Sequence, residues 1–218
     1  MAASDRTEAL PRRRGVFLFA KRTLDMCLSL AASLFLVPLG LLIAVMIKLT
    51  SRGPVFFTEM RLGKGGRPFR IFKFRTMSRD ARERLEQIFT ESPELRDEWE
   101  RNRKLRNDPR VTPLGRILRK TSLDEIPQLL NVFRGEMALV GPRPVVEAEK
   151  HLYGDDFDTA FGVRPGITGL WQVSGRSDTT YAQRVEMDVF YALNCSLRLD
   201  ASILVRTAMK VLFCRGAR

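Results

Sequence analysis

From Leu24 to Ile47 the chain reads LDMCLSLAASLFLVPLGLLIAVMI, an apolar run whose single charge is Asp25. As a helix it would measure about 36 Å at 1.5 Å per residue, enough to cross the hydrocarbon of a bilayer. Pro38 lies near its middle, lacking an N–H and crowding the carbonyl of Leu34, so the pattern predicts a break near Val37-Pro38-Leu39-Gly40. After Pro54 the period drops to two. VFFTEMRLG and RPFRIFKFRTM flank Lys64-Gly65-Gly66 and predict a β-hairpin, with Phe72 and Phe74 on one face of its second strand and Lys73 and Arg75 on the other. Residues 78–107 carry dense charge of both signs, interrupted by Pro93, and read as two exposed helices. Beyond Asp108-Pro109, LGRILRK predicts a short basic helix. SLDEIPQLLNVF predicts another beginning near Ser122, because Pro127 is comfortable only in a first turn. The terminal LRLDASILVRTAMKVLF spaces apolar residues at helical intervals against Arg198, Arg206 and Lys210, a stripe that packs on the core or lies on a membrane. The fold class expected is α+β and predominantly helical. A membrane-inserted, broken (re-entrant) N-terminal helix over 21–48 follows a basic tail over 1–20 and precedes one domain over 49–218, built from a β-hairpin and helices that include surface amphipathic ones.

Charge sharpens that outline. The chain has 218 residues, enough for one real core, and a formal charge of +12. Residues 1–79 hold 15 Lys/Arg against 4 Asp/Glu, whereas residues 80–218 hold 22 against 21. The basicity therefore belongs to the N-terminal third. Arg12, Arg13, Arg14, Lys21 and Arg22 precede the apolar run, and Lys48, Arg52, Arg61, Lys64, Arg67 and Arg70 follow it. Both flanks ask to be cytoplasmic, which a straight span cannot satisfy and a re-entrant helix can; a kinked spanning helix is the alternative. No small-residue cleavage site follows the run, so a secretory signal is not expected. Basic charge beside an apolar segment favours an anionic membrane surface over nucleic acid, although sequence-blind RNA binding would give the same number. Cys27, Cys195 and Cys214 are scattered and odd in count, without a zinc spacing or a disulfide framework, which fits a reducing compartment. His151 is the only histidine, so a general base or nucleophile is expected to be a carboxylate.

One carboxylate pair stands out. Asp124-Glu125 sits among Arg116, Arg119, Lys120, Arg134 and Arg143. A carboxylate can attack phosphorus or hold Mg²⁺, while guanidiniums neutralise a diphosphate and its developing charge. Ser122-x-x-Glu125 also spells a helix capping box, so the pair can equally be a helix start. Gly141-Pro142-Arg143-Pro144 is a stiff turn that would fix Arg143 for directional phosphate recognition, or serve structure alone. RPGITGLWQVSGRS places Gly166, Gly169 and Gly175 around Trp171, a loop that lets backbone approach a ligand, with Trp171 as a base or sugar platform and Arg176 as a phosphate contact. Lys73 and Arg75 either face phosphate or solvate the outer face of a half-buried strand.

Together KRTLD, FKFRTM, DPRVTPLGRILRKTSLDEIPQLLNVFRGEMALVGPRP and RPGITGLWQVSGR, in order over about residues 20–213, resemble the bacterial sugar transferases, the monotopic polyprenyl-phosphate phosphoglycosyltransferases. The likeness is greatest to members that load galactose or glucose 1-phosphate to start exopolysaccharide repeat units. It implies transfer of a sugar 1-phosphate from a UDP-sugar to undecaprenyl phosphate, with Mg²⁺, at the cytoplasmic face of the bacterial inner membrane. Asp124 matches the family nucleophile, which forms a phosphosugar-aspartyl intermediate and releases UMP. Glu125 matches its acidic partner, and the two are the implied metal ligands. Arg119 and Arg143 fall at active-site arginine positions, and Lys73 and Arg75 in the FKFRTM motif. Lys21 and Arg22 match the basic pair at the membrane boundary. Where the family commonly has Ser-Pro at the helix break, this chain has Val37-Pro38. The expected partners are the UDP-sugar, undecaprenyl phosphate and the membrane, with no nucleic acid and with a homodimer left open. A membrane-tethered basic protein that binds RNA or anionic lipid without catalysis is the competing reading.

Overall fold

The computed structural model describes residues 14–102, 105, 108–175 and 179–212. Its first element is α1, Arg14–Thr50, the one helix among the described residues that is long and apolar enough to cross a membrane. Residues 14–20, expected to belong to the basic tail, are already helical. The break expected at Pro38 is a point of difference too: Val37, Pro38, Leu39 and Gly40 all stay helical. A proline removes one backbone bond, and a helix in apolar surroundings absorbs that loss more cheaply than it could end and expose several more polar groups. The buried residues of α1 fall in two groups, Lys21, Asp25 and Ser29 before its middle and Gly40, Ile43 and Ile47 after it, while Leu30, Leu34, Phe35, Val37, Leu41 and Leu49 are more than half exposed.

Strands β1, Phe56–Leu62, and β2, Pro68–Phe74, pair antiparallel from Phe56↔Phe74 to Leu62↔Pro68. The 3-10 turn Lys64–Gly66 joins them, with left-handed φ of 64° at Gly65 and 70° at Gly66, the region where only glycine is unstrained. On β2, Phe69 and Ile71 bury against Val132 and Met137. Phe74, on the opposite face, buries against Ile43 and Ile47 of α1. Helices α2, Ala81–Glu91, and α3, Pro93–Asn102, follow as the charge pattern predicts and touch through Phe89 and Trp99.

The rest of the chain builds the body. Helix α4, Pro113–Thr121, contains the expected LGRILRK helix, with Pro113 in its first turn and Thr112 accepting from the Gly115 amide at 2.9 Å. After the 3-10 helix Leu123–Gln128 come α5, Leu129–Phe133, and β3, Ala138–Val140. The 3-10 segment Glu147–Asp156 leads into α6, Phe157–Ala160, then β4, Gly166–Thr168, and α7, Leu170–Ser174. Helices α8, Tyr181–Asn194, and α9, Leu197–Leu212, complete the described fold. Helix α9 packs on the core through Ile203 and Asp200, and leaves Val205 and Met209 exposed. The parallel pair β3–β4 (Ala138↔Gly166, Val140↔Thr168) has no sequence counterpart among the expectations, because three residues are too few to show a period.

Candidate active site

The acid pair is carried by the 3-10 helix Leu123–Gln128, entered through Ser122 at a left-handed φ of 58°. Three residues per turn align positions i and i+3. Leu123 and Ile126 therefore share a face and join Ile43, Ile47, Phe74 and Leu118 in one apolar cluster. A Cβ added to Gly40 would lie 3.5 Å from Phe74 and 3.8 Å from Ile126, so the turn rests directly on α1. The capping-box alternative does not describe this turn. The Ser122 side chain makes no cap bond, and the Glu125 carboxylate meets Lys73 Nζ at 2.7 Å instead.

Asp124 is only 9% exposed. Burial first, and then the neighbouring Glu125 charge, push its carboxyl up to about 6, while Lys73 and Arg119 pull the other way. Arg119, on the last turn of α4, donates through Nε to Thr76 Oγ1 at 2.9 Å. Helix α4 comes this close because Gly115 has no side chain: a Cβ there would sit 2.0 Å from the Thr76 carbonyl oxygen. The FKFRTM segment thus divides its polar residues among different tasks. Lys73 holds Glu125, Thr76 holds Arg119, and Arg75 turns to the end of α1, where its guanidinium donates to the carbonyls of Ser51 and Arg52 and to Ser51 Oγ at 2.7–3.0 Å. Arg75 is buried there and is not brought to the acid pair.

A small cleft opens over Glu125, lined by Arg61, Lys73, Gln128, Arg143 and Gln172. Arg143 comes from the Gly141-Pro142-Arg143-Pro144 turn, and its charge is felt from Glu125 and Arg184 alike. Its guanidinium lies 5.6 Å from the centre of the Trp171 ring and makes no hydrogen bond among the described residues. The Trp171 ring is thus a platform for arginines: Arg184 also lies over it at 5.1 Å, and its Nε1 donates to Thr179 Oγ1 at 2.7 Å. The glycines around it serve backbone packing. A Cβ on Gly166 would lie 2.1 Å from Gly141 N, and one on Gly169 2.2 Å from Gly141 O, so the two loops lock together and fix the arginine turn.

Lys21 and Arg22 tie α1 to the body. Lys21 Nζ pairs with Asp200 at 2.6 Å and Asp25 at 3.5 Å, and Arg22 donates to the carbonyls of Val132 at 2.7 Å and Phe133 at 3.2 Å. Arg176 lies outside the described residues. Asp188, which sequence reasoning did not single out, is 1% exposed beside Arg184 and Tyr153. Its only sequence signal is a carboxylate within the apolar spacing of α8. No group of three or more metal-binding side chains occurs among the described residues. Two adjacent carboxylates suit Mg²⁺ when phosphate oxygens supply further ligands.

A family model described as bacterial sugar transferase matches residues 16–214. The exopolysaccharide production protein ExoY of Rhizobium meliloti is 48% identical over 198 residues, which cover 91% of this chain and 88% of that protein. The UDP-galactose-lipid carrier transferase of Erwinia amylovora is 47% identical over 199 residues, and the undecaprenyl-phosphate galactose phosphotransferase of Salmonella typhimurium is 46% identical over 200. The matches cover 91% of this chain but 42% of either protein, so the chain spans less than half the length of these two relatives.

Proposed function

This chain belongs to the bacterial sugar transferase family, and we propose that it moves galactose 1-phosphate or glucose 1-phosphate from a UDP-sugar to undecaprenyl phosphate, the first membrane step of exopolysaccharide, capsule or O-antigen assembly. An Asp124 carboxylate oxygen attacks the sugar-bearing phosphorus. A P–O bond forms to Asp124, the bond to the bridging oxygen breaks, and UMP departs. A phosphate oxygen of the lipid then attacks the same phosphorus, and the bond to Asp124 breaks to return the carboxylate. Lys73 keeps Glu125 beside the nucleophile, and Arg119 and Arg143 face the phosphates. Mg²⁺ held by Asp124 and Glu125 would offset negative charge on the diphosphate.

The observation that carries this reading is the buried carboxylate on a turn that sits against the membrane helix. An acceptor whose phosphate lies at the bilayer surface requires a nucleophile at that level. Both ends of α1 also touch one body, Lys21 through Asp200 and Ile47 through the cluster with Leu118. A helix that crossed the bilayer straight would carry one end some 30 Å away. We therefore read α1 as kinked at Pro38 without ending there, entering and leaving on the cytoplasmic face of the inner membrane, with Leu30, Leu34, Phe35 and Leu41 in the lipid.

The deciding experiment incubates purified protein with radiolabelled UDP-galactose or UDP-glucose and Mg²⁺ without lipid acceptor. Label retained on the protein with matching UMP supports the two-step route. UMP released only when lipid is present overturns it.

A further inference from the structure

Beneath the cleft, α8 contributes a buried ionic unit that the proposed chemistry does not use. Asp188 is 1% exposed and Arg184 6%. Asp188 Oδ2 accepts from the Tyr153 hydroxyl at 2.7 Å and lies 3.8 Å from Arg184 Nε. Burial pushes the Asp188 carboxyl up to about 6, while Arg184, Tyr153 and Arg143 pull the other way, and Oδ1 makes no hydrogen bond among the described residues. Arg184 in turn lies 5.1 Å from the Trp171 ring centre and 4.9 Å from that of Tyr181. Arg143 lies over the same indole.

Two guanidiniums on one indole repel each other, and each lowers the tendency of its neighbour to stay put unless a negative charge nearby offsets them. Asp188 is that charge. It lies 3.8 Å from Arg184, its charge is felt by Arg143 as well, and Tyr153 fixes the carboxylate in turn. We propose that Asp188 is a positioning residue whose charge, held by Tyr153, keeps Arg143 over the cleft for the diphosphate of the donor. This rests on the reading of Arg143 as a phosphate contact. Asp188 itself never meets the substrate; removing it would let Arg143 swing away from Glu125, leaving the acid pair intact.

A double-mutant cycle separates positioning from general support of the fold. UDP is the probe, since it carries the diphosphate without committing to a sugar, and its affinity is measured calorimetrically on the full chain in lipid nanodiscs. Arg143→Ala is expected to weaken UDP by about ten-fold or more, and Asp188→Asn by about five- to ten-fold. Asp188→Asn placed on Arg143→Ala should cause no further loss. An equal loss in both backgrounds would mean that Asp188 acts through the fold at large and would overturn the proposal. Should Asp188→Asn not fold, Tyr153→Phe takes its place, with about a two- to three-fold loss that likewise disappears in the Arg143→Ala background. If Arg143→Ala leaves UDP affinity unchanged, the phosphate role of Arg143 fails first and the positioning role with it.

Discussion

Asp124 holds its charge in surroundings that resist it. Its carboxyl is raised to about 6 in the fold against 3.8 for an ordinary aspartate, by burial first and then by Glu125. The fold therefore binds a proton there more tightly than the unfolded chain does, and stability is lost as pH rises from about 4 to 6 and the group ionises. At pH 7.5 in metal-free buffer Asp124→Asn should melt at a higher temperature than the wild type, while product formation falls by at least about a thousand-fold; an unchanged turnover would remove Asp124 from the mechanism. Difference infrared spectra of metal-free wild type against Asp124→Asn should show a carboxyl titrating near pH 6. Because Lys73 favours the ionised form, Lys73→Ala should move that midpoint upward, and a downward move would contradict the ion pairing seen here.

At the scale of elements, the junction of α1 with β1 depends on a glycine and an arginine far apart in kind. Gly53 has φ +124°, and a Cβ on it would lie 2.0 Å from Arg75 Nη1. Gly53→Ala thus strains the backbone and displaces the guanidinium that closes the end of α1. Arg75→Ala removes three hydrogen bonds from a cation, and should cost about 2–4 kcal/mol of stability, read by thermal melting in detergent. A loss confined to UDP affinity, with melting unchanged, would return Arg75 to the list of phosphate contacts. The same logic explains why the acid pair was readable only in part. Ser122-x-x-Glu125 has the spelling of a cap, but tertiary packing of Leu123 and Ile126 on α1 selects a 3-10 turn and frees Glu125 for Lys73. Local sequence presents both options; a partner 52 positions away decides between them.

For the whole molecule, the re-entrant reading of α1 makes a test that does not involve catalysis. With native cysteines replaced, cysteines introduced at Phe19 and at Leu49, both exposed positions near opposite ends of α1, should react with an impermeant maleimide from the cytoplasmic side alone. Labelling of the two from opposite sides would show a spanning helix. The sequence by itself determined that one long apolar segment exists, that a hairpin follows it, that LGRILRK is a short basic helix, and which carboxylates and cations are available for phosphate chemistry. Those properties follow from short-range periodicity, proline and glycine chemistry and counted charge. Tertiary structure alone decided that Arg75 caps α1 while Lys73 reaches Glu125, that Gly141, Gly166 and Gly169 interlock, and that Asp188 lies beside Arg184. Each of these is set by contacts between residues distant in the chain, where burial, rather than local conformational preference, fixes which polar groups find a partner.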